Sequence, residues 1–257
     1  MTEYVPTYPD LAGKVAVVTG GSGGIGAAAC RLLAANGAKV AVNGRDETKI
    51  DAVVGEIHSD GGQAIGVVAD VTAFAAVEEM RQRVEEELGP VDVLAAFAGG
   101  QGYPTPTAQM AEEQWRSVID SNLTATFLTV RSILPGMVER GQGSIVTMAS
   151  SAGRLPSQAS AAYAAAKAGV VMFSRHVANE VGQRGVRVNC LAPSSVLTER
   201  VKLLMPEETQ REVAGMHPLG RMGTPEDVAL ATLFLASESS SWITGVTLDV
   251  AGGRIMV

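Results

Sequence analysis

The chain has 257 residues, 46% hydrophobic and 18% charged, with a formal net charge of −7. That balance belongs to a globular protein with ample core material, and an acidic sum without any lysine- or arginine-rich run excludes a binder of nucleic acid backbone. No run of about 18 apolar residues could cross a membrane, and the first residues, MTEYVPTYPD, have neither the basic nor the apolar region of a signal peptide.

Along the chain, short β-branched runs recur at 14–19, 39–43, 63–69, 91–97, 143–149, 186–192 and 245–250. They are apolar on both alternating faces, the pattern of strands buried on both sides. Segments with helical spacing lie between them, including 27–36 and the glutamate-rich 77–88, which ends at Gly89-Pro90. Strand–helix alternation of this kind predicts an α/β, Rossmann-type doubly wound fold, a seven-stranded parallel sheet with helices on both faces. Nothing divides the chain, so 1–257 is read as one domain with an N-terminal extension at 1–10. Two long connections, 99–109 and 193–225, follow strands and should overhang the carboxyl edge of the sheet, where such folds bind ligands. Cys30 and Cys190 lie far apart in apolar segments. They read as free thiols of a reducing compartment, which makes a cytoplasmic location the expectation. His58, His176 and His217 show no metal-ligand spacing, so no metal is expected. Trp115 and Trp242 are expected as core or interface aromatics.

The first strand runs into VVTGGSGGIG, 17–26. Gly20, Gly24 and Gly26 allow a tight turn and close approach of a pyrophosphate, which then faces the free N–H groups of a helix N-terminus. Further on stand Asp70 in VADVT, Asn122 in DSNLTATF, Ser150 in MASSAG, Tyr163 and Lys167 in YAAAK, and the run VNCLAPSSVLT at 188–198. The i, i+4 spacing puts Tyr163 and Lys167 on one helix face; spacing alone also allows an ordinary surface pair.

With these motifs in this order, the chain resembles the short-chain dehydrogenase/reductase family over nearly its full length. The resemblance implies that Tyr163 is the acid/base and Lys167 its partner. A free phenol titrates near 10, and an ammonium one turn away should lower that value. The same ammonium can hold the nicotinamide ribose. Ser150 would bond the carbonyl oxygen, with Ser151, Ser157 and Ser160 as rivals. Asn122 would anchor a water linking Lys167 to solvent. By the same resemblance the dinucleotide is held by Gly20, Ser22, Gly24, Ile25, Gly26, Asp70, Val71, Ala98, Gly99, Pro193, Val196 and Thr198. Asp70 also reads as a helix cap beside Thr72.

Two stretches depart from the family pattern: AFAG at 96–99 replaces the usual NNAG, so packing must replace a polar link there, and Pro193-Ser194 replaces Pro-Gly. An NAD enzyme of this fold carries an acid at the end of the second strand to hold the ribose 2′-OH. Here that place holds Gly44, followed by Arg45, which can bind a 2′-phosphate through a forked contact. NADP(H) is therefore expected over NAD(H); the rival is Asp46 reaching the 2′-OH. RMGTPEDVA and ITGVTLDVAGG resemble the 3-oxoacyl-carrier-protein reductase branch. The substrate would be a carbonyl or alcohol, in that branch held on an acidic carrier protein, with Arg140 and Arg184 as a docking pair near the rim of the site. Tyr103, Leu155 and Leu203, with Leu204 and Met205, are expected to line an apolar substrate pocket. The alternatives are a dehydrogenase of a small alcohol, sugar or cyclic ketone, and a non-catalytic NAD(P)-sensing protein. The resemblance also implies a homotetramer, with Ala161, Ala164, Ala165 and Ala168 giving close helix packing.

Overall fold

The computed structural model describes residues 6–256. Seven strands form, β1 (Val15–Thr19), β2 (Lys39–Gly44), β3 (Gln63–Val68), β4 (Val91–Ala96), β5 (Gly143–Met148), β6 (Val186–Pro193) and β7 (Thr247–Val250). They pair in parallel in the order β3-β2-β1-β4-β5-β6-β7. The expected strands and their order of appearance hold, with ends displaced by one or two residues. Nine α-helices connect them: α1 (Gly24–Ala35), α2 (Glu47–Ser59), α3 (Phe74–Glu87), α4 (Glu112–Ile119), α5 (Ala125–Arg140), α6 (Ala161–Val181), α7 (Glu199–Leu204), α8 (Glu207–Gly215) and α9 (Pro225–Ala236) among the described residues.

Strand alternation assigns the two cores. Ala16 and Val18 of β1 pack with α1, α2 and α9. Val15 and Val17 point the other way, into a core with α3, α5 and the end of α6. Every residue of β1 is buried, as the apolar run required. The order reverses beside β1: β2 and β3 build outward on one side and β4 returns on the other. This switch point opens a crevice at the carboxyl ends of β1 and β4, the place where such sheets take ligands.

The connection 193–225 is not an irregular loop, since it carries α7 and α8. A π-turn, Asp120–Thr124, joins α4 to α5. The described part of the N-terminal extension is tied down: Tyr8 N–H donates to Asn36 Oδ1 at 2.7 Å, and Asp10 accepts from Glu238 N–H at 2.9 Å; residues 1–5 lie outside the described residues. Neither tryptophan belongs to the subunit core, for Trp242 is 99% exposed and Trp115 40%.

Candidate active site

The glycine turn is built as the spacing predicted. Gly20 sits at φ +68°, and a Cβ there would lie 3.2 Å from the Ala98 backbone. A Cβ on Gly26 would fall 2.1 Å from Gly20 O, so no other residue fits. Helix α1 starts with no side-chain cap and no acid in its first turn. Its free N–H groups point into the crevice, which suits an anion. Thr198 stands over this turn: its Cγ2 is 3.2 Å from where a Gly24 Cβ would be.

Four side chains meet on the far wall of the crevice. Ser150 follows β5, and its Oγ accepts from Ala152 N–H at 3.2 Å, bending the chain into a short 3-10 turn. That turn lies on α6, since a Cβ on Gly153 would come within 2.6 Å of the Lys167 backbone. Two of the three rival serines are engaged elsewhere: Ser160 caps α6 by accepting from Tyr163 N–H at 3.3 Å, and Ser157 closes a turn with Ala159 N–H at 3.2 Å. Tyr163 and Lys167 lie one turn apart on α6, with Lys167 Nζ 5.6 Å from the Tyr163 ring centroid. Lys167 Nζ is buried and donates to Met148 O at 2.7 Å. A Cβ on Gly99, at φ +149°, would be 2.5 Å from Asn122 Oδ1 and 3.4 Å from Lys167 Nζ. Only glycine lets the β4 loop pass between these two side chains.

Burial pushes the Lys167 ammonium down to about 8, with no carboxylate to oppose it. Burial also raises the Tyr163 phenol above its ordinary value, and the Ser150 hydroxyl works against that rise. The phenol is thus raised where a lowering by Lys167 was expected, because loss of water around it outweighs the Ser150 hydrogen bond. A phenol held neutral beside a hydroxyl and an ammonium is arranged to give a proton to a carbonyl oxygen. Asn122 is buried and tied to backbone. Its Nδ2 donates to Gly100 O at 3.0 Å and Val118 O at 2.9 Å, and its Oδ1 accepts from Gly100 N–H at 3.1 Å. Both amide donors are spent on backbone, so the side chain pins the β4 loop, while Oδ1, with one bond from Gly100 N–H, keeps a lone pair that can accept from a water.

Of 257 residues, 14–209 match the model of the short chain dehydrogenase family. The chain belongs to that family. A 3-oxoacyl-[acyl-carrier-protein] reductase, FabG, of Chlamydia pneumoniae is 39% identical over 95% of this chain and 97% of its own length. The Escherichia coli protein of the same name is 36% identical over 95% and 98%. A 2,5-dichloro-2,5-cyclohexadiene-1,4-diol dehydrogenase, LinX, of Sphingobium indicum is also 36% identical, over 95% and 96%. The crystal structure of a short-chain type dehydrogenase/reductase from Mycobacterium marinum superposes with a TM-score of 0.91 at 34% identity, covering 97% of this chain and 98% of that one. The protein is thus a short-chain dehydrogenase/reductase, an oxidoreductase working between CH–OH and carbonyl.

Against that family pattern, its two departures have physical replacements. At 96–99 the polar link is kept by a residue the sequence did not single out: Thr19 Oγ1 accepts from Phe97 N–H at 3.0 Å and Ala98 N–H at 3.1 Å. Ala96 and Phe97 pack into the two opposite cores. At the second, Ser194 bonds the buried ring of His217.

The remaining dinucleotide residues lie around the crevice with one exception. Ser22, Ile25 and Ala98 are half-buried along it, Pro193 ends β6, and Val196 bridges to Gly223. Val71 has its side chain in the core, so only its backbone can face a ligand. Asp70 accepts from Thr72 N–H at 2.9 Å and Thr72 Oγ1 at 2.7 Å; these bonds, and Arg45 nearby, hold its carboxyl below the usual range. At the end of β2, a Cβ on Gly44 would sit 2.7 Å from Ser22 Oγ. Arg45 is exposed, with no hydrogen-bond or ion-pair partner among the described residues. Asp46 accepts from Lys49 N–H at 3.2 Å and pairs with Lys49 Nζ at 3.2 Å, so it caps α2. This cradle, open helix end and unspent arginine fit a dinucleotide.

The expected substrate residues do not form a closed pocket. Tyr103 is 83% exposed, Leu155 46% and Leu203 85%, on three separate segments. The docking pair is misplaced within the subunit. Arg140 ends α5 and donates to Val91 O at the first residue of β4, and Arg184 follows α6 just before β6. Both lie at the amino edge of the sheet, Arg184 roughly 30 Å from Tyr163 at the helical rise of α6, because each helix runs back from the catalytic edge.

Proposed function

We propose that the protein is an NADP(H)-dependent reductase that interconverts a carbonyl and a secondary alcohol, with a 3-oxoacyl thioester as its substrate class. The observation that carries this is the meeting of Ser150, Tyr163 and buried Lys167 beside an uncapped, glycine-lined helix start. A nicotinamide bound in the crevice supplies the hydride. The chain's own residues do the rest. Tyr163, kept neutral by burial, donates its proton to the carbonyl oxygen. The Ser150 hydroxyl holds the same oxygen as negative charge develops. Lys167 places a positive charge below the phenol and holds the ribose. Asn122 fixes the β4 loop that borders the ring. Arg45 takes the 2′-phosphate, and Ser22 bars an acid from position 44.

The thioester rests on the names of the FabG relatives, not on a docking face. The likeness to LinX supports a second reading, a cyclic alcohol or ketone. A non-catalytic NAD(P) sensor would have no use for the complete set of Ser150, Tyr163 and Lys167. A 340 nm assay with NADPH and NADH over acetoacetyl thioesters, cyclic ketones and sugars decides among these. Oxidation of NADPH by the thioester supports the first reading. Cofactor binding with no turnover of any carbonyl supports the sensor.

A further inference from the structure

The connection from β6 to α9 carries two helices that bury nothing. Neither α7 nor α8 contains a buried residue. Among residues 197–221, His217 alone is buried, at 3% exposure. Backbone bonds fix only the base of the connection: Leu197 N–H donates to Gly223 O at 2.8 Å, Gly223 N–H to Ser195 O at 3.0 Å and Leu219 N–H to Gly252 O at 3.1 Å. Beyond that base, no hydrogen bond or ion pair among the described residues joins 199–216 to the sheet or to another helix, except through the His217 ring.

The ring spans the gap. Its Nδ1 is 2.8 Å from Val213 O in the last turn of α8, and its Nε2 is 3.0 Å from Ser194 Oγ at the end of β6. A carbonyl only accepts, so Nδ1 carries the hydrogen, and Nε2 of the neutral ring accepts from the Ser194 hydroxyl. Ser194 is itself held, its N–H donating to Val250 O at 3.2 Å. This is the position where the family pattern has glycine, which could not form the link. We infer that Ser194 and His217 are a latch that positions α7 and α8 over the crevice, making both positioning residues for substrate binding. Helix α7 is capped by Thr198, which stands over the glycine turn. A segment whose apolar residues, Val201, Met205, Val213 and Ala214, are at most half-buried opens locally at little cost. One partly buried hydrogen bond then sets the fraction of molecules with the helices in place, and apparent affinity scales with that fraction.

The inference rests on the proposed carbonyl reductase reading, with substrate reaching Tyr163 beneath this connection. Ser194→Ala and His217→Ala should each raise KM for the carbonyl substrate about three- to tenfold. The kcat and the NADPH Kd should stay at the wild-type level. The double variant should be no worse than the worse single one, and His217→Gln should recover part of the loss by keeping a polar partner for Ser194. Hydrogen exchange gives an answer independent of turnover: amides of 199–216 should exchange faster in both alanine variants while those of β1, β4 and β5 do not change. Unchanged exchange in 199–216, or a kcat loss with unchanged KM, overturns the latch. If His217→Ala fails to fold, Ser194→Ala, which leaves the core packing intact, carries the test. If the wild type reduces no carbonyl, the functional reading fails, and the exchange data still judge the latch.

Discussion

Lys167 is a buried cation whose near neighbours are a backbone carbonyl, a phenol and a thiol. With no carboxylate to stabilise it, burial brings it down to about 8 against a weaker opposing pull from Cys190. The sign of the pH effect follows. Below that value Lys167 is charged, and Tyr163, raised above its ordinary range, is a neutral acid. Reduction needs both states. The kcat/KM for carbonyl reduction, which reports the free enzyme, should therefore be level near neutrality and fall as pH rises through about 8. Lys167→Arg should move that fall to higher pH, because guanidinium keeps its proton. A profile that rises from neutrality to pH 9 in the reductive direction would contradict this assignment. The residue types and spacing of Tyr163 and Lys167 were legible in the sequence. The direction of the Tyr163 shift was not, since it depends on water lost from around the phenol, which a linear chain does not display.

The end of β2 and the start of α1 act as one element in cofactor choice. Gly44 and Ser22 are complementary shapes, and Arg45 is left unspent beside them. A charge-assisted bond from an exposed arginine contributes at the lower end of about 1.5–3 kcal/mol, or about tenfold in preference. Arg45→Ala should erase most of the NADPH preference while leaving NADH kinetics little changed. Gly44→Asp alone should impair both cofactors, because its Cβ meets Ser22. Gly44→Asp with Ser22→Gly should turn the preference to NADH. Steady-state kcat/KM with each cofactor checks all of these, and a wild type that prefers NADH refutes the reading. Elements differed in how far the sequence disclosed them. The strands were plain because both faces are buried, which leaves unbroken apolar runs. Helices α7 and α8 were read only as part of a long connection, because each is short and has no fully buried residue to mark it as a core element. The π-turn Asp120–Thr124 was hidden for the opposite reason, lying inside one continuous helical pattern. Thr19 and Asn122 spend their side chains on backbone amides brought near only by the fold.

At the scale of the molecule, apolar surface remains uncovered in two places. One is the face of α4, α5 and α6, where Trp115, Phe127 and Met172 are 40%, 42% and 60% exposed and Ala165 and Ala168 lie outward. The other is the sheet edge at β7, with Val246 and Leu248 each 39% exposed and Trp242 at 99%. Buried in two kinds of two-fold contact, two separate patches of this kind would build a tetramer. Light scattering at micromolar concentration should give four times the 26.6 kDa chain mass, and Met172→Glu with Phe127→Glu should reduce it to a dimer. A monomer mass for the wild type rules the assembly out. The measurement that bears most directly on the whole account is single-turnover oxidation of bound NADPH by wild type and Tyr163→Phe, with NADPH affinity measured in parallel. The account predicts equal affinity and a rate at least about 100-fold lower in the variant, the usual effect of a positioned acid. A variant that turns over near the wild-type rate would contradict it.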